Sequence, residues 1–199
     1  MDAITRVPVP VNEPVKSYAP GSAERAELDA ALAELTAAPL ELNGTFGAER
    51  RPGRGDDRYE VTMPSDHGQV LGVVKQANHA DAEQAVAAAT GAARGWADMP
   101  FDQRAAIFLR AADLIAGPFR ARINAATMLG QGKTVQQAEI DSACELIDFL
   151  RFNAHFAQEI YANQPQNSPG VWNRMDYRPL EGFVYAITPF NFTAIAGNL

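Results

Sequence analysis

The sequence holds a single cysteine, Cys144, among 199 residues. No disulfide can form within it, which suits a reducing compartment. No run approaches the roughly 18 uncharged apolar residues that a membrane span needs. The opening Met1-Asp2-Ala3-Ile4-Thr5-Arg6 has neither the cationic and apolar regions of a secretory signal nor the Arg-rich, acid-poor composition of a transit peptide. Basic residues are in deficit: 17 Lys and Arg against 24 Asp and Glu leave a net charge of −7. That balance disfavours nucleic-acid phosphates and anionic lipid as partners. His67, His79 and His155 share no metal-ligand spacing and no cysteine cluster joins them, so no metal site is expected. What is present, 47% hydrophobic and 21% charged residues, is globular rather than disordered. The composition describes a soluble, acidic protein of the cytoplasm.

Residues 1–21 carry Pro8, Pro10, Pro14 and Pro20 with little apolar periodicity, and read as an extended arm, disordered or draped over a neighbour. Ser22 can cap a helix to about Ala38, with Leu28, Leu32 and Leu35 on one face and Pro39 as its stop. Residues 40–42, 59–63 and 69–75 read as short antiparallel strands. Four helices should follow. One opens at Asn78 and Asp81, is lined by Ala85, Val86, Ala88 and Ala89, and ends at Gly95; another runs from Pro100 to Gly117. A short one covers 119–129, and a long one 134–161 carries the row Ala138, Ser142, Glu145, Phe149, Phe152, Phe156. Residues 171–177 alternate like an exposed strand within a 166–181 segment, and 182–187 form an apolar run like a strand buried on both faces. Residues 193–196 look like the start of a helix. A buried parallel strand needs neighbours, so the expectation is an α/β fold of which these residues are only the first part.

Most motif matches have a plain reading. Gly132-Lys133-Thr134 ends like a phosphate-binding loop, but the Gly required five positions earlier is Thr127, so a helix-linking turn is the better account. Cys144 sits mid-helix with no His or Lys nearby and reads as packing. Asp148 has Arg151 at i+3 as a candidate partner. Glu145 is the only charged member of its small and aromatic row and has no equally close cation. A solvated acidic face is the simplest reading, yet a substrate ammonium could serve as its partner. Asn191 lies at the strand-to-helix junction Thr188-Pro189-Phe190-Asn191-Phe192-Thr193. There an amide can donate to a developing oxyanion, or simply cap the next helix.

These residues carry a resemblance. Ala186-Ile187-Thr188-Pro189-Phe190-Asn191-Phe192 resembles the entrance to the cofactor domain of the aldehyde dehydrogenase superfamily, and residues 80–86, Trp96, Arg104 and Gly132-Lys133 fall in that superfamily's order. Residues 129–134, 137–141, 145–149 and 151–154, with Leu180-Glu181-Gly182-Phe183, are similar to the narrower 1-pyrroline-5-carboxylate dehydrogenases. The resemblance implies the N-terminal part of an aldehyde dehydrogenase fold: residues 22–165 a helical and hairpin portion, 166–181 an oligomerisation strand segment, and 182–199 the entry to a Rossmann-like NAD-binding sheet. It implies NAD-dependent oxidation of L-glutamate γ-semialdehyde to L-glutamate, in which a cysteine thiolate attacks the aldehyde and hydride leaves to NAD. Asn191 then matches the oxyanion-stabilising residue. Thr188, Pro189 and Phe190 match the cofactor contact, Glu145 the carboxylate near the substrate's amino group, and Phe192 an aromatic on its aliphatic chain. A homo-oligomer, and a proline dehydrogenase as candidate partner, belong to the same implication. Because the matching nucleophile lies beyond residue 199, these residues alone should be inactive. Another acidic-semialdehyde dehydrogenase, or a non-catalytic helical interaction module, are the alternatives.

Overall fold

The computed structural model describes residues 5–197. The expected continuation of the last helix to Leu199, and the opening Met1-Asp2-Ala3-Ile4, lie outside the described residues. Helix α1 (Ala23–Ala37) begins where expected, with the Ser22 side chain accepting from the Arg25 N–H. Its Leu28 and Leu35 bury against Ala125 and Leu129 of α4 (Arg120–Gln131), with Tyr18 closing this part of the core. Strands β1 (Leu40–Leu42), β4 (Arg58–Met63) and β5 (Asp66–Lys75) form a sheet in the order β1-β5-β4. The β4–β5 pair is antiparallel as the sequence predicts, but β1 runs parallel to β5. The reason is an intervening hairpin, β2 (Gly44–Phe46) with β3 (Glu49–Arg51), that the sequence reading missed and that turns the chain before β4. After β3 the loop folds tightly back on the end of β5. The Gly55 N–H donates to the Gln76 carbonyl at 2.8 Å, and a Cβ on Gly53 would stand 2.1 Å from that same oxygen.

Helix α2 (His79–Asp98) opens with a reciprocal cap between Asn78 and Asp81. Asp81 is fully buried, accepts from the Arg54 N–H and pairs with Arg51. Two expectations fail here. The helix runs through Gly95 to Asp98, where Arg94 pairs with Asp98 one turn on. Its Ala85, Val86 and Ala89 are exposed, because α2 packs on β2 rather than on the main core. Helix α3 (Phe101–Ala116) packs along α6 (Glu145–Ala162), burying Ala112 with Leu146, Ile147 and Leu150.

The long helix expected over 134–161 is continuous but not uniform. It comprises α5 (Val135–Ala138), a π-helical stretch Glu139–Cys144, and α6. The wider turn shifts the inward face. Ala138 and Ser142 are buried as their row predicts, but beyond them Leu146, Ile147, Leu150 and Ala154 face the core. Glu145, Phe149 and Phe152 are half-buried and Phe156 is exposed.

The arm is extended as expected, but from residue 5 onward it lies on its own chain. Val7 buries against Ala105 and Ala154, and its N–H donates to Gln158 Oε1. Residues 182–187, expected to be a buried strand, form no ladder and lie exposed, with Val184 and Ile187 each more than four-fifths accessible. No other described strand stands beside this run to satisfy its backbone. At 171–177 the expected strand is reduced to a single bridge between Ser168 and Val171. The last element is a 3-10 turn, Ile195–Gly197, anchored by the buried Ile195 on α6.

Candidate functional site

Three polar assemblies meet around α4 and the π-helical stretch. The deepest is built on Glu139, fully buried. One carboxylate oxygen accepts from the Lys16 N–H and from Arg120; the other accepts from the Tyr18 hydroxyl at 2.8 Å, Asn124 Nδ2 at 2.7 Å and Arg120 Nε. Burial would raise this carboxyl's pKa, but these donors outweigh it and hold it below the usual range. Arg120, itself buried, also pairs with Glu13, and Glu13 bridges on to Arg151 at 2.6 Å. Arg151 therefore serves Glu13, not Asp148 as its spacing suggests. Asp148 instead accepts from Asn12 Nδ2 and the Glu13 N–H. Tyr18 is held with φ 51, a left-handed conformation that is costly for a non-glycine residue. The sequence reading missed this network. Its one visible trace is the i, i+4 placement of Arg120 and Asn124 on a short helix.

Cys144 is buried beside the network, its Sγ 3.3 Å from Arg120 Nη2 and 3.7 Å from Glu139 Oε1. Burial, reinforced by the Glu139 charge, pushes the thiol up to about 12. Such a group stays protonated at neutral pH and is no nucleophile.

Glu145 lines a cavity of about 390 Å³ with Asn12, Asp148, Phe149, Phe152, Asn153 and Phe156. Asn12 brings the arm into the cavity wall. Among the described residues nothing forms a hydrogen bond or ion pair with the Glu145 carboxylate, whereas Asp148 beside it is fully engaged.

The 188–193 loop stands at the other end of this assembly. Thr188, Pro189 and Phe190 are exposed, Phe190 almost completely. Phe190 and Phe192 line a second cavity with Leu35, Leu42 and Leu129, which shares no residue with the Glu145 cavity. The Asn191 backbone carbonyl accepts from Lys133 Nζ at 2.6 Å. Thr193 Oγ1 shares a hydrogen bond with Thr127, which also contacts Ser142. The Asn191 side chain is exposed and has no hydrogen-bond partner among the described residues. Lys133 follows Gly132, whose φ of 64 ends α4, and Thr134 caps α5 reciprocally with Gln137. Gly132-Lys133-Thr134 is thus the helix-linking turn that its sequence suggests. No group of three or more His, Cys, Asp or Glu side chains among the described residues could hold a metal, and no described helix is long and apolar enough to cross a membrane.

Comparison with known proteins decides what this arrangement belongs to. Residues 51–197 match the model of the aldehyde dehydrogenase family. The chain belongs to that family. It is 60% identical to the delta-pyrroline-5-carboxylate dehydrogenase of Mycobacterium tuberculosis, crystallised with NAD, at a TM-score of 0.96 over 100% of this chain and 37% of that one. It is 50% identical to the delta-1-pyrroline-5-carboxylate dehydrogenase of Agaricus bisporus, over 99% of this chain and 36% of that protein. At greater distance, 30% identity and a TM-score of 0.67 relate 75% of it to 15% of proline utilization A from Bdellovibrio bacteriovorus. The narrower resemblance to 1-pyrroline-5-carboxylate dehydrogenases therefore holds. This α/β chain corresponds to the N-terminal part of the aldehyde dehydrogenase fold and spans a little over a third of the length of the first two relatives. Relatives from Dictyostelium discoideum and Bos taurus bear mitochondrial names.

Proposed function

We propose that the chain forms part of an NAD-dependent dehydrogenase that oxidises L-glutamate γ-semialdehyde, or its cyclised form 1-pyrroline-5-carboxylate, to L-glutamate in proline breakdown. The observation that carries the reading is the unpaired Glu145 carboxylate beside three phenylalanines in an open cavity. A carboxylate beside aromatic rings calls for a cation, and the substrate supplies an ammonium on the carbon three bonds from its aldehyde carbon, or an iminium when cyclised. The charge-assisted hydrogen bond would select amino-acid semialdehydes over plain aldehydes.

Asn191 takes the role of donor to the oxygen on which negative charge develops, since its amide is exposed and unengaged while its backbone is fixed. Phe192 packs on the aliphatic chain of the substrate. Thr188, Pro189 and Phe190 would hold NAD. They fit it in that the loop is exposed and the run 186–196 contains no acidic side chain to repel a pyrophosphate. When bound, the dinucleotide supplies a hydride acceptor. The nucleophile is not Cys144, whose buried thiol stays protonated, so the 199 residues alone should turn over no aldehyde. The exposed apolar side chains Trp172, Leu180 and Val184 support homo-oligomer formation, and a proline dehydrogenase is a candidate partner. A free buried thiol suits a reducing compartment, which we read as cytoplasm.

The test is Glu145→Gln in the full-length enzyme, assayed on glutamate semialdehyde and on an amine-free aldehyde of similar length. Loss of a hydrogen bond to a charged group, about 1.5–3 kcal/mol, should lower kcat/KM for the semialdehyde about 10–150-fold. The amine-free aldehyde should be nearly unaffected. Equal losses on both would mean that Glu145 only holds the helix in place.

A further inference from the structure

Lys133 is the residue whose placement the sequence does not explain. A lysine in a turn between helices is ordinarily a solvated charge. Here the side chain is only 18% exposed and its ammonium is engaged on three sides. It donates to Asp141 Oδ2 at 2.6 Å and to the Asn191 carbonyl at 2.6 Å, and it lies 4.8 Å from the centroid of the Phe192 ring. Asp141 is presented by the π-helical stretch, four residues before Glu145. Its second oxygen, Oδ1, is buried and without a hydrogen-bond partner among the described residues. Leaving a carboxylate oxygen in that state costs stability, and Asp141 gains in exchange only its grip on Lys133.

The same loop is clamped from two other directions. In the amide orientation that satisfies both groups, Gln131 donates to the Asn191 carbonyl and accepts from the Thr193 N–H, each at 3.1 Å. Thr193 Oγ1 is tied to Thr127 on α4. The backbone at 191 and 193 is therefore held by Lys133 and Gln131 and the Thr193 side chain by Thr127, while the Asn191 amide between them is bound by none of the described residues. That is the arrangement a stationary donor needs: the Cα is immobilised and the side chain is left for an external oxygen.

We propose that Lys133, oriented by Asp141, is a positioning residue that fixes the Asn191 amide for the reacting oxygen of the aldehyde. The inference rests on the reading of Asn191 as that donor. It goes beyond it by assigning the ammonium of Lys133, one turn of chain before the π-helical stretch, as what sets the geometry. A misplacement of about 1 Å at a reacting centre costs up to about 10²-fold in rate, so loss of the ammonium should act on kcat more than on substrate KM.

The experiment is a double-mutant cycle in the full-length enzyme: Lys133→Met, Asn191→Ala, and the two combined. Asn191→Ala alone should lower kcat about 10²–10³-fold. Lys133→Met alone should lower it about 10–100-fold, with KM for the semialdehyde little changed. In the Asn191→Ala background the Lys133 substitution should cost almost nothing further, because there is no amide left to position. Lys133→Arg, which keeps a cation, should recover part of kcat. Should Lys133→Met not fold, Asp141→Asn takes its place in the same cycle with the same expectation. Equal losses in both backgrounds overturn the positioning role while leaving the Asn191 reading standing. A full-speed Asn191→Ala enzyme overturns both.

Discussion

Glu139→Ala tests whether the buried network holds the arm to the helices. The substitution removes the carboxylate that receives the Lys16 N–H, the Tyr18 hydroxyl, Asn124 Nδ2 and the guanidinium of Arg120. Summing these hydrogen bonds at about 1.5–3 kcal/mol each would rival the whole stability of an ordinary domain, so they are not treated as additive. The governing quantity is the buried ion pair, whose disruption by loss of one partner costs about 3–5 kcal/mol. Glu13 still faces Arg120 and softens the loss, which places the expectation toward the lower end. Glu139→Gln should not rescue it. Every group around the two oxygens except the Tyr18 hydroxyl is an obligate donor or has one aimed inward, so either orientation of an amide sets its NH2 against Arg120. The assay is thermal unfolding of the full-length enzyme, with hydrogen exchange over residues 12–18. Both variants should lower Tm and speed exchange in the arm. A Gln variant as stable as the parent would refute the argument that acceptor-only chemistry is required. The pH arm has a definite sign. The guanidinium groups beside them hold the Glu139 and Glu13 carboxyls below the ordinary carboxylate range in the folded state, so they stabilise above that range and their contribution is lost as pH falls through the depressed folded values. Protection of the arm should hold from neutral pH down to about 5 and fade in stronger acid.

Two further outcomes check separate parts of the structure. Peptide mapping after iodoacetamide treatment at pH 8 should show Cys144 unmodified in the native enzyme and labelled on denaturation, since burial hides its thiol and pushes its pKa up to about 12; native-state labelling would show the helix to be open there. Gly53→Ala should destabilise by about 1–3 kcal/mol as an overpacking change, read as a lower Tm, because its Cβ would collide with the Gln76 carbonyl 2.1 Å away; an unchanged Tm would mean that the 53–57 loop is not tied to β5 as described.

Local signals were legible and non-local ones were not. Ser22, Asn78 and Thr134 act as caps within three residues of their partners, and the 3.6 period located every long helix. The same period misjudged α2. Its alanine face is small enough to sit in water, and nothing in the 79–98 sequence says that the helix lies off the core. Strand direction was out of reach for a related reason: β1 pairs with β5, some thirty residues on, through a hairpin of three-residue strands too short to show alternation. The π-helical stretch hid in a row that steps by four and three, so its lower half pointed to the core and its upper half did not. At the candidate site, Glu145 and Asn191 stood out by residue type and position, the family resemblance added Phe192, Thr188, Pro189 and Phe190, and the contacts of Arg120, Glu139 and Lys133 stayed invisible. Each of the last three gains its meaning from a residue between eight and 123 positions away.

The arm's attachment also fixes an order of events during synthesis. Glu13 is made early, yet its partners Arg120 and Arg151 come 107 and 138 residues later. At ribosomal rates of about 5–20 residues per second, Glu13 waits roughly 7–28 s for Arg151 to be translated. Through that interval Val7 and Tyr18 are apolar side chains without a surface to cover them, and the prolines at 8, 10 and 14 hold the segment stretched rather than collapsed. The arm is therefore made before the helices on which it docks and is held only after they have formed.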